Sequence, residues 1–101
     1  MKSVKVYRYT TNNEGVFSAG KRLLPEKLVE EVLENKKWLI KPKLQNGEYR
    51  FYLTKNGKEK YESTLLISHK KYLKNIKLEV YNKNDLKNIV YEDEYQIVVK
   101  N

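Results

Sequence analysis

The sequence predicts a small α+β domain, in which a mostly antiparallel sheet of about four strands carries two to three helices on one face. Segments with strand and helix periodicity follow each other in the order β-α-α-β-α-β-β, which lacks the regular βαβ alternation of a parallel sheet. We expect one domain over residues 1–101, because 101 residues leave no room for a second core. Apolar residues make up 40% of the chain, and nine tyrosines add bulk to that core.

The first strand is predicted over residues 3–10, where small apolar side chains alternate with larger or charged ones. A period of two is typical of a half-buried strand. The residues TNNEG that follow predict a loop. The alternating residues are Val4 and Val6 on one face and Lys5, Tyr7 and Tyr9 on the other.

Two helices are predicted between this strand and the next. Residues 14–24 can form a short helix, and Pro25 suits the first turn of a longer one, LPEKLVEEVLENKKWL. In the longer helix apolar residues recur at helical spacing, and acids come early and bases late, which matches the helix dipole. The apolar residues are Leu28, Val29, Val32 and Leu33, the acids Glu26, Glu30, Glu31 and Glu34, and the bases Lys36 and Lys37.

The second half of the chain predicts a strand, a long helix and two or three closing strands. YRFYLT at 49–54 alternates again, and Thr54 is the predicted N-cap of a helix over residues 55–73. Gly57 is expected to weaken only the first turn of that helix. IKLEVYN at 76–82 predicts a strand, NDLKN a turn, and IVYEDEYQIVVK one or two final strands.

Positive charge is the strongest compositional signal. Against 13 acidic residues the chain has 21 lysines and arginines, and the net charge of +8 favours nucleic acid or acidic protein surfaces as partners. An AT-rich genome would also produce this abundance of lysine, asparagine, tyrosine and isoleucine without any dedicated partner. The chain has no cysteine, which fits a reducing compartment, and no apolar run long enough for a membrane span, so we expect a cytoplasmic protein.

GVFSAGK, residues 15–21, has the spacing of a phosphate-binding loop. Such a loop needs a Ser or Thr after its lysine to hold magnesium, and Arg22 stands there instead. It also needs a parallel sheet and a second strand that ends in Asp, neither of which the sequence indicates. We therefore predict no nucleotide site and interpret Gly15 and Gly20 as turn or close-packing residues.

Other catalytic patterns are equally weak, and we predict a protein that is not an enzyme and has no cofactor or metal. Ser68 and His69 are neighbours on a predicted helix, where side chains point about 100 degrees apart, too far for a nucleophile and its base. The acidic trio Glu92, Asp93 and Glu94 could hold a divalent ion or form a solvated turn, and a turn is favoured. The trio also remains a possible contact for a basic partner.

Two groups of residues could bind a partner. Lysines at the end of the long helix could form a phosphate-binding stripe, or could simply stabilise the helix end. If the first two strands are neighbours, tyrosines beside Arg50 could stack on the bases of single-stranded RNA, or could be ordinary core residues. The candidate stacking residues are Tyr7, Tyr9 and Tyr52.

Three segments of the chain resemble small proteins encoded by phages and prophages of low-GC anaerobic bacteria. They are VKVYRYTTNNEGVFSAGKRLLPEKLVEE, GEYRFYLTKNGKEKYESTLL and IVYEDEYQIVV, about 60% of the 101 residues. Anti-CRISPR proteins are found among such proteins, and this chain is similar in size and character to inhibitors of type VI-A systems, whose target is a large RNA-guided RNase. Many such inhibitors are acidic mimics of nucleic acid, whereas a net charge of +8 argues against mimicry here.

The resemblance implies a non-enzymatic inhibitor that binds a large CRISPR effector protein or its guide RNA stoichiometrically, in the cytoplasm of an infected or lysogenic bacterial host. The alternative is a small basic accessory protein that binds RNA or DNA directly. Exposed edge strands would also make a dimer easy. For the inhibitor we expect partner contacts from the glycine-flanked segment and the lysine cluster, namely Phe17, Lys21, Arg22, Lys70, Lys71 and Lys74.

Overall fold

In the described part of the chain, six strands form one antiparallel sheet, and four short α-helices pack against one of its faces. The computed structural model describes residues 4–101, and the predicted α+β class is confirmed. Single 3₁₀ turns occur at Glu26–Leu28 and Lys83–Asp85. The strands are β1 Lys5–Thr11, β2 Glu14–Gly15, β3 Tyr49–Leu53, β4 Ile76–Asn82, β5 Ile89–Glu92 and β6 Gln96–Lys100, and the helices are α1 Val16–Arg22, α2 Val29–Asn35, α3 Lys55–Ser63 and α4 Leu65–His69.

The strand order is β2-β1-β3-β6-β5, and β4 pairs along the other edge of β1. All seven residues of β1 pair with β4. On the opposite edge β1 meets β3 through a single residue pair, Tyr7 with Leu53, and meets β2 at Thr10 and Thr11. Strands β1 and β3 therefore separate after Tyr7, and the sheet has an opening between them.

The segment TNNEG, predicted as a loop, is the turn of a tight hairpin between β1 and β2. Thr11 pairs with Glu14, so the connection consists of Asn12 and Asn13 alone. Both asparagines have positive φ, 49° and 68°. Two successive residues of positive φ match the right-handed twist of the strands, and asparagine tolerates this conformation better than most residues.

Each face of the sheet carries a buried cluster. The main core lies between the helices and one face, where Tyr9 and Leu53 belong to one buried cluster with residues of all four helices. A smaller cluster occupies the other face and is covered by Tyr81 and Leu86. Its members are Val6, Tyr52, Ile97 and Val99.

The first predicted strand differs from the structure in its buried residues. Ser3 lies outside the described residues, and Val4, expected beside Val6 in the core, is 60% exposed. The helices instead cover the face that carries Tyr9, which is 7% exposed. Alternation identified the strand correctly, but the two faces of a strand buried on both sides cannot be told apart by this pattern.

The predicted helix over residues 55–73 is broken at Thr64, whose φ of −130° and ψ of −79° are not helical. The Thr64 hydroxyl donates to the Lys60 carbonyl at 2.6 Å and accepts from the indole of Trp38 at 3.0 Å. The predicted helix after Pro25 is also shorter, since Pro25 precedes a 3₁₀ turn and α2 begins at Val29. No helix in residues 4–101 is long and apolar enough to cross a bilayer.

Candidate functional site: a cation-lined cleft

A cleft of about 510 Å³ opens where β1 and β3 part. Its lining includes residues from both faces of these strands, among them Arg8 and Tyr9 of β1 and Arg50 and Phe51 of β3. Helices α1 and α2 and the segment 36–42 complete the walls. The cleft forms because β1 and β3 are joined by one residue pair only, Tyr7 with Leu53.

Among residues 4–101, five cations line the cleft, and no aspartate or glutamate does. Arg8 forms an ion pair with Glu79 at 3.5 Å, whereas the other four make no ion pair with any described residue. A concave surface that carries one sign of charge raises the local concentration of oppositely charged ligands. The five cations are Arg8, Lys21, Lys36, Lys41 and Arg50.

The floor of the cleft is apolar. Buried side chains from the main core reach it, and Phe51, which is 37% exposed, stands with Tyr49 at β3. An apolar floor within a ring of cations suits a ligand that combines an anionic group with an aromatic or aliphatic part. The buried residues on the floor are Val16, Val32, Leu53 and Leu65.

The wall formed by segment 36–42 is held by hydrogen bonds to the rest of the domain. The indole N–H of Trp38 donates to the Asn35 carbonyl at 2.8 Å and to Thr64 at 3.0 Å. The buried amide of Gln96 donates to the Ile40 carbonyl. Because Thr64 and the buried Gln96 anchor this wall to the rest of the domain, the wall keeps Lys36 and Lys41 at the cleft.

His69, at the end of α4, lines the inner part of the cleft and is only 2% exposed. Its Nδ1 atom lies 2.8 Å from the hydroxyl of Tyr61. Burial, and secondarily the charge of Lys36, lowers the pKa of His69 to about 4. The ring is therefore neutral at physiological pH and adds no charge to the five cations.

The segment GVFSAGK forms helix α1 rather than a phosphate loop. Gly20 packs directly on His69, since a Cβ atom at this position would lie 2.6 Å from Nε2 of the imidazole. The Gly20 carbonyl also accepts a hydrogen bond from Tyr72 at 2.8 Å. For Gly20 the packing interpretation is confirmed, while Gly15 is the N-cap residue of α1.

The structure separates the three predicted contacts in this segment. Phe17 and Lys21 line the cleft, and Phe17 also packs edge-on against Tyr61, with ring centroids 5.6 Å apart. Arg22 lies outside the cleft and donates to Glu14 at 2.5 Å. This ion pair holds the pKa of the Glu14 carboxyl below its usual value.

The lysine cluster after α4 does not line the cleft. Lys71 is paired with Glu31 at 2.6 Å, an interaction that lowers the pKa of the Glu31 carboxyl. Lys70 and Lys74 are exposed, and the Lys74 carbonyl accepts a hydrogen bond from the Thr11 hydroxyl. These lysines form a separate basic surface, part of which is already neutralised within the chain.

The three candidate stacking tyrosines do not share a face of the sheet. Tyr7 pairs with Leu53, so Tyr52, the neighbour of Leu53, points to the opposite face. Tyr9 and Tyr52 are core residues, 7% and 5% exposed, and offer no open ring face to a base. Tyr7 is half-buried, with the ammonium of Lys58 5.5 Å from its ring centroid. The fold thus excludes a joint stacking platform, and for Tyr9 and Tyr52 the core interpretation holds.

Of the acidic trio, Asp93 and Glu94 lie in the turn between β5 and β6, while Glu92 is the last residue of β5 and pairs with Lys83 at 2.5 Å. Asp93 accepts from the backbone N–H groups of Tyr95 and Gln96 at 2.8 and 3.0 Å, and from the Tyr91 hydroxyl at 2.6 Å. Partial burial opposes ionisation, but these bonds keep the pKa of the Asp93 carboxyl below its usual value. Within residues 4–101 no group of three or more His, Cys, Asp or Glu side chains could hold a metal ion.

Of the five cleft cations, only Lys21 was among the partner contacts predicted from the sequence, and Arg50 was named only beside the candidate stacking tyrosines. Arg8 and Arg50 are two of only three arginines in the chain, and both lie within strands. A charged residue inside a predicted strand was the available signal. Lys36 and Lys41 carried no such signal, because only the tertiary fold brings segment 36–42 to β3.

No protein-family model, curated protein or solved structure matches this chain.

Proposed function

We propose that this protein is a non-enzymatic inhibitor that binds an RNA-guided nuclease stoichiometrically, with the cleft against the phosphate backbone of the bound guide RNA. The observation that carries the proposal is the cleft itself, whose described lining has five cations and no carboxylate. Phosphates are the anions that such a complex presents in greatest number. The resemblance to inhibitors of type VI-A systems supplies the class of partner.

The cleft suits a nucleotide backbone for two physical reasons. Lys21, Lys41 and Arg50 are exposed cations without an internal ion pair among residues 4–101, so a phosphate would meet charges that are not already neutralised. Phe51 and Tyr49 at β3 add half-exposed aromatic surface beside them. Cations next to aromatic rings are typical of sites for single-stranded nucleic acid.

A direct RNA- or DNA-binding protein is the alternative function, and the same cleft supports it. The two functions differ in what gives affinity. Binding of free RNA depends on counterion release and falls steeply with salt. Binding to an assembled nuclease adds a protein interface with a desolvated centre, which is less sensitive to salt.

The test is a titration of the purified protein into a type VI-A effector that carries guide RNA and is activated by target RNA, with cleavage of a reporter RNA as the readout. We expect a sharp end-point near one molecule per effector at both low and high salt. Inhibition that follows total RNA and disappears with salt would replace the inhibitor by the direct nucleic-acid binder. No inhibition at any ratio, for an effector known to be active, would reject the inhibitor.

Charge reversal tests the role of the cleft. Lys21→Glu with Arg50→Glu changes the charge by −4, and both side chains are exposed, so the fold should persist. Lys60→Glu with Lys87→Glu makes the same change on exposed residues outside the cleft and is the matched control. We expect the first pair to lower affinity at least tenfold more than the control. Equal effects would show that only net charge matters.

A further inference from the structure

One edge of strand β4 pairs with no strand among the described residues 4–101. The strand pairs with β1 through all seven residues in an unbroken register, without a bulge, and the cleft lies on the opposite edge of β1. Sheets in stable monomers usually protect such an edge with proline, a bulge or unbalanced charge. Ile76–Asn82 has no proline and no bulge, and two of its apolar side chains, Leu78 and Val80, are 41% and 52% exposed.

The register shows which backbone groups of β4 point outward. The Lys83 N–H donates to the Val4 carbonyl at 2.7 Å, so the pair Val4 and Lys83 is hydrogen-bonded. Because hydrogen-bonded pairs alternate along an antiparallel ladder, Lys77, Glu79 and Tyr81 also bond to β1. The N–H and C=O groups of Ile76, Leu78 and Val80 therefore face away from β1. They make no hydrogen bond to any residue among 4–101.

We propose that two copies of this chain form a dimer by antiparallel pairing of their β4 strands about a two-fold axis at Leu78. In this register Leu78 lies opposite Leu78 of the second copy, and Ile76 lies opposite Val80. These are the residues whose backbone groups point outward, so the ladder can form without any change in β4. The apolar side chains of both copies then meet on one face of a continuous sheet.

The charged residues of β4 select this register. On the other face, Lys77 of each copy lies opposite Glu79 of the second copy, which gives two ion pairs between non-hydrogen-bonded positions, where side chains are closest. A two-fold axis at Glu79 would instead oppose two glutamates, and an axis at Lys77 two lysines. Only the axis at Leu78 pairs opposite charges throughout.

Glu79 remains available for this contact. Within the chain it accepts hydrogen bonds from Arg8 at 3.5 Å and from Tyr81 at 2.6 Å, and both use the Oε1 atom. The Oε2 atom makes no hydrogen bond to a described residue. Lys77 is exposed and has no ion pair within residues 4–101. Two copies thus offer each other complementary charges beside complementary apolar surface.

Two single charge reversals test the register. Lys77→Glu places glutamate at both positions 77 and 79, and Glu79→Lys places lysine at both. Like charges then oppose each other in the dimer, so each variant should be monomeric by analytical ultracentrifugation at physiological salt. A mixture of both should form a heterodimer, since every opposed pair then has opposite charge. We expect the mixture to associate at least about tenfold more tightly than either variant alone. Circular dichroism of each variant checks that it is folded, and Lys87→Glu is the control for net charge.

A third variant tests the backbone ladder. Val80→Pro removes an outward N–H and no bond to β1, so the monomer should fold while the dimer is lost. A wild-type chain that stays monomeric up to millimolar concentration would overturn the proposal. So would a dimer that persists in all three variants, because it would use another surface. Folded variants whose mixture remains monomeric would overturn the register.

Discussion

Gly57, in the first turn of α3, is predicted to be essential for stability. A Cβ atom at Gly57 would lie 1.9 Å from the carbonyl oxygen of Tyr95, in the turn between β5 and β6, and 2.8 Å from its carbon. That carbonyl also accepts from the Thr54 N–H at 3.1 Å, and the Thr54 hydroxyl donates to the Glu94 carbonyl at 2.5 Å. Gly57→Ala must therefore push the start of α3 away from this turn.

The cost can be estimated from these contacts. Alanine favours a helix over glycine by about 1 kcal/mol, so propensity alone predicts that Gly57→Ala stabilises the protein. Against this, loss of the Thr54 cap costs about 1 kcal/mol, loss of its bond to Tyr95 about 1 kcal/mol, and overpacking about 1–3 kcal/mol. The net expectation is a destabilisation of about 2–4 kcal/mol, a large share of the roughly 5–15 kcal/mol typical of a domain.

Urea unfolding followed by tryptophan fluorescence measures this change. Trp38, the only tryptophan, packs edge-on against Tyr95 with ring centroids 5.4 Å apart, so its emission reports on the same contact. We expect a loss of about 2–4 kcal/mol and a melting temperature lower by at least about 10 °C. Asn56→Ala is the control, because Asn56 lies next to Gly57 in the same helical turn but is exposed to solvent. A Gly57→Ala protein as stable as wild type would refute the packing argument.

Three further outcomes follow from the core beside the cleft. Folding lowers the pKa of His69 from 6.5 to about 4, so between these pH values the unfolded chain binds a proton that the folded protein does not. The free energy of unfolding should therefore be about 3 kcal/mol lower at pH 4 than above pH 6.5. His69→Gln should remove that part of the pH dependence in urea titrations, and an unchanged profile would contradict it. Gly20→Ala, with its Cβ 2.6 Å from the imidazole, should cost about 1–3 kcal/mol in thermal unfolding, and an unchanged melting temperature would exclude the close contact. Tyr9→Phe should raise the pKa of the Glu62 carboxyl, which the Tyr9 hydroxyl lowers, in a carboxyl NMR titration, and a constant pKa would argue against that bond.

Elements with a strong local pattern were predictable from the sequence. Alternation over 49–54 and 76–82 located β3 and β4 within one residue, and Thr54 was identified as the N-cap of α3, where its hydroxyl accepts from the Gly57 N–H at 3.0 Å. The break at Thr64 was not predictable, because helical spacing continues through it. It depends on a hydrogen bond with Trp38, 26 residues earlier in the chain.

For the candidate site, sequence reasoning selected Phe17 and Lys21 from one short helix, and both line the cleft, while their contact with a partner stays a prediction. It could not select Arg50 as their companion, because nothing local indicates that β1 and β3 part beyond Tyr7. The tyrosines illustrate the same limit. Period two shows that Tyr9 lies on a face of β1, but the helices that cover this face come from other parts of the chain.

The sequence by itself determined the α+β class, most of the strands and the excess of positive charge, since periodicity, capping residues and composition act over a few neighbouring positions. The tertiary structure alone decided which cations meet at the cleft, which lysines are already paired and that the outer edge of β4 pairs with no strand in the described part of the chain. Those properties depend on contacts between residues tens of positions apart. Such contacts are selected by the packing of whole elements, and a local sequence pattern contains little information about them.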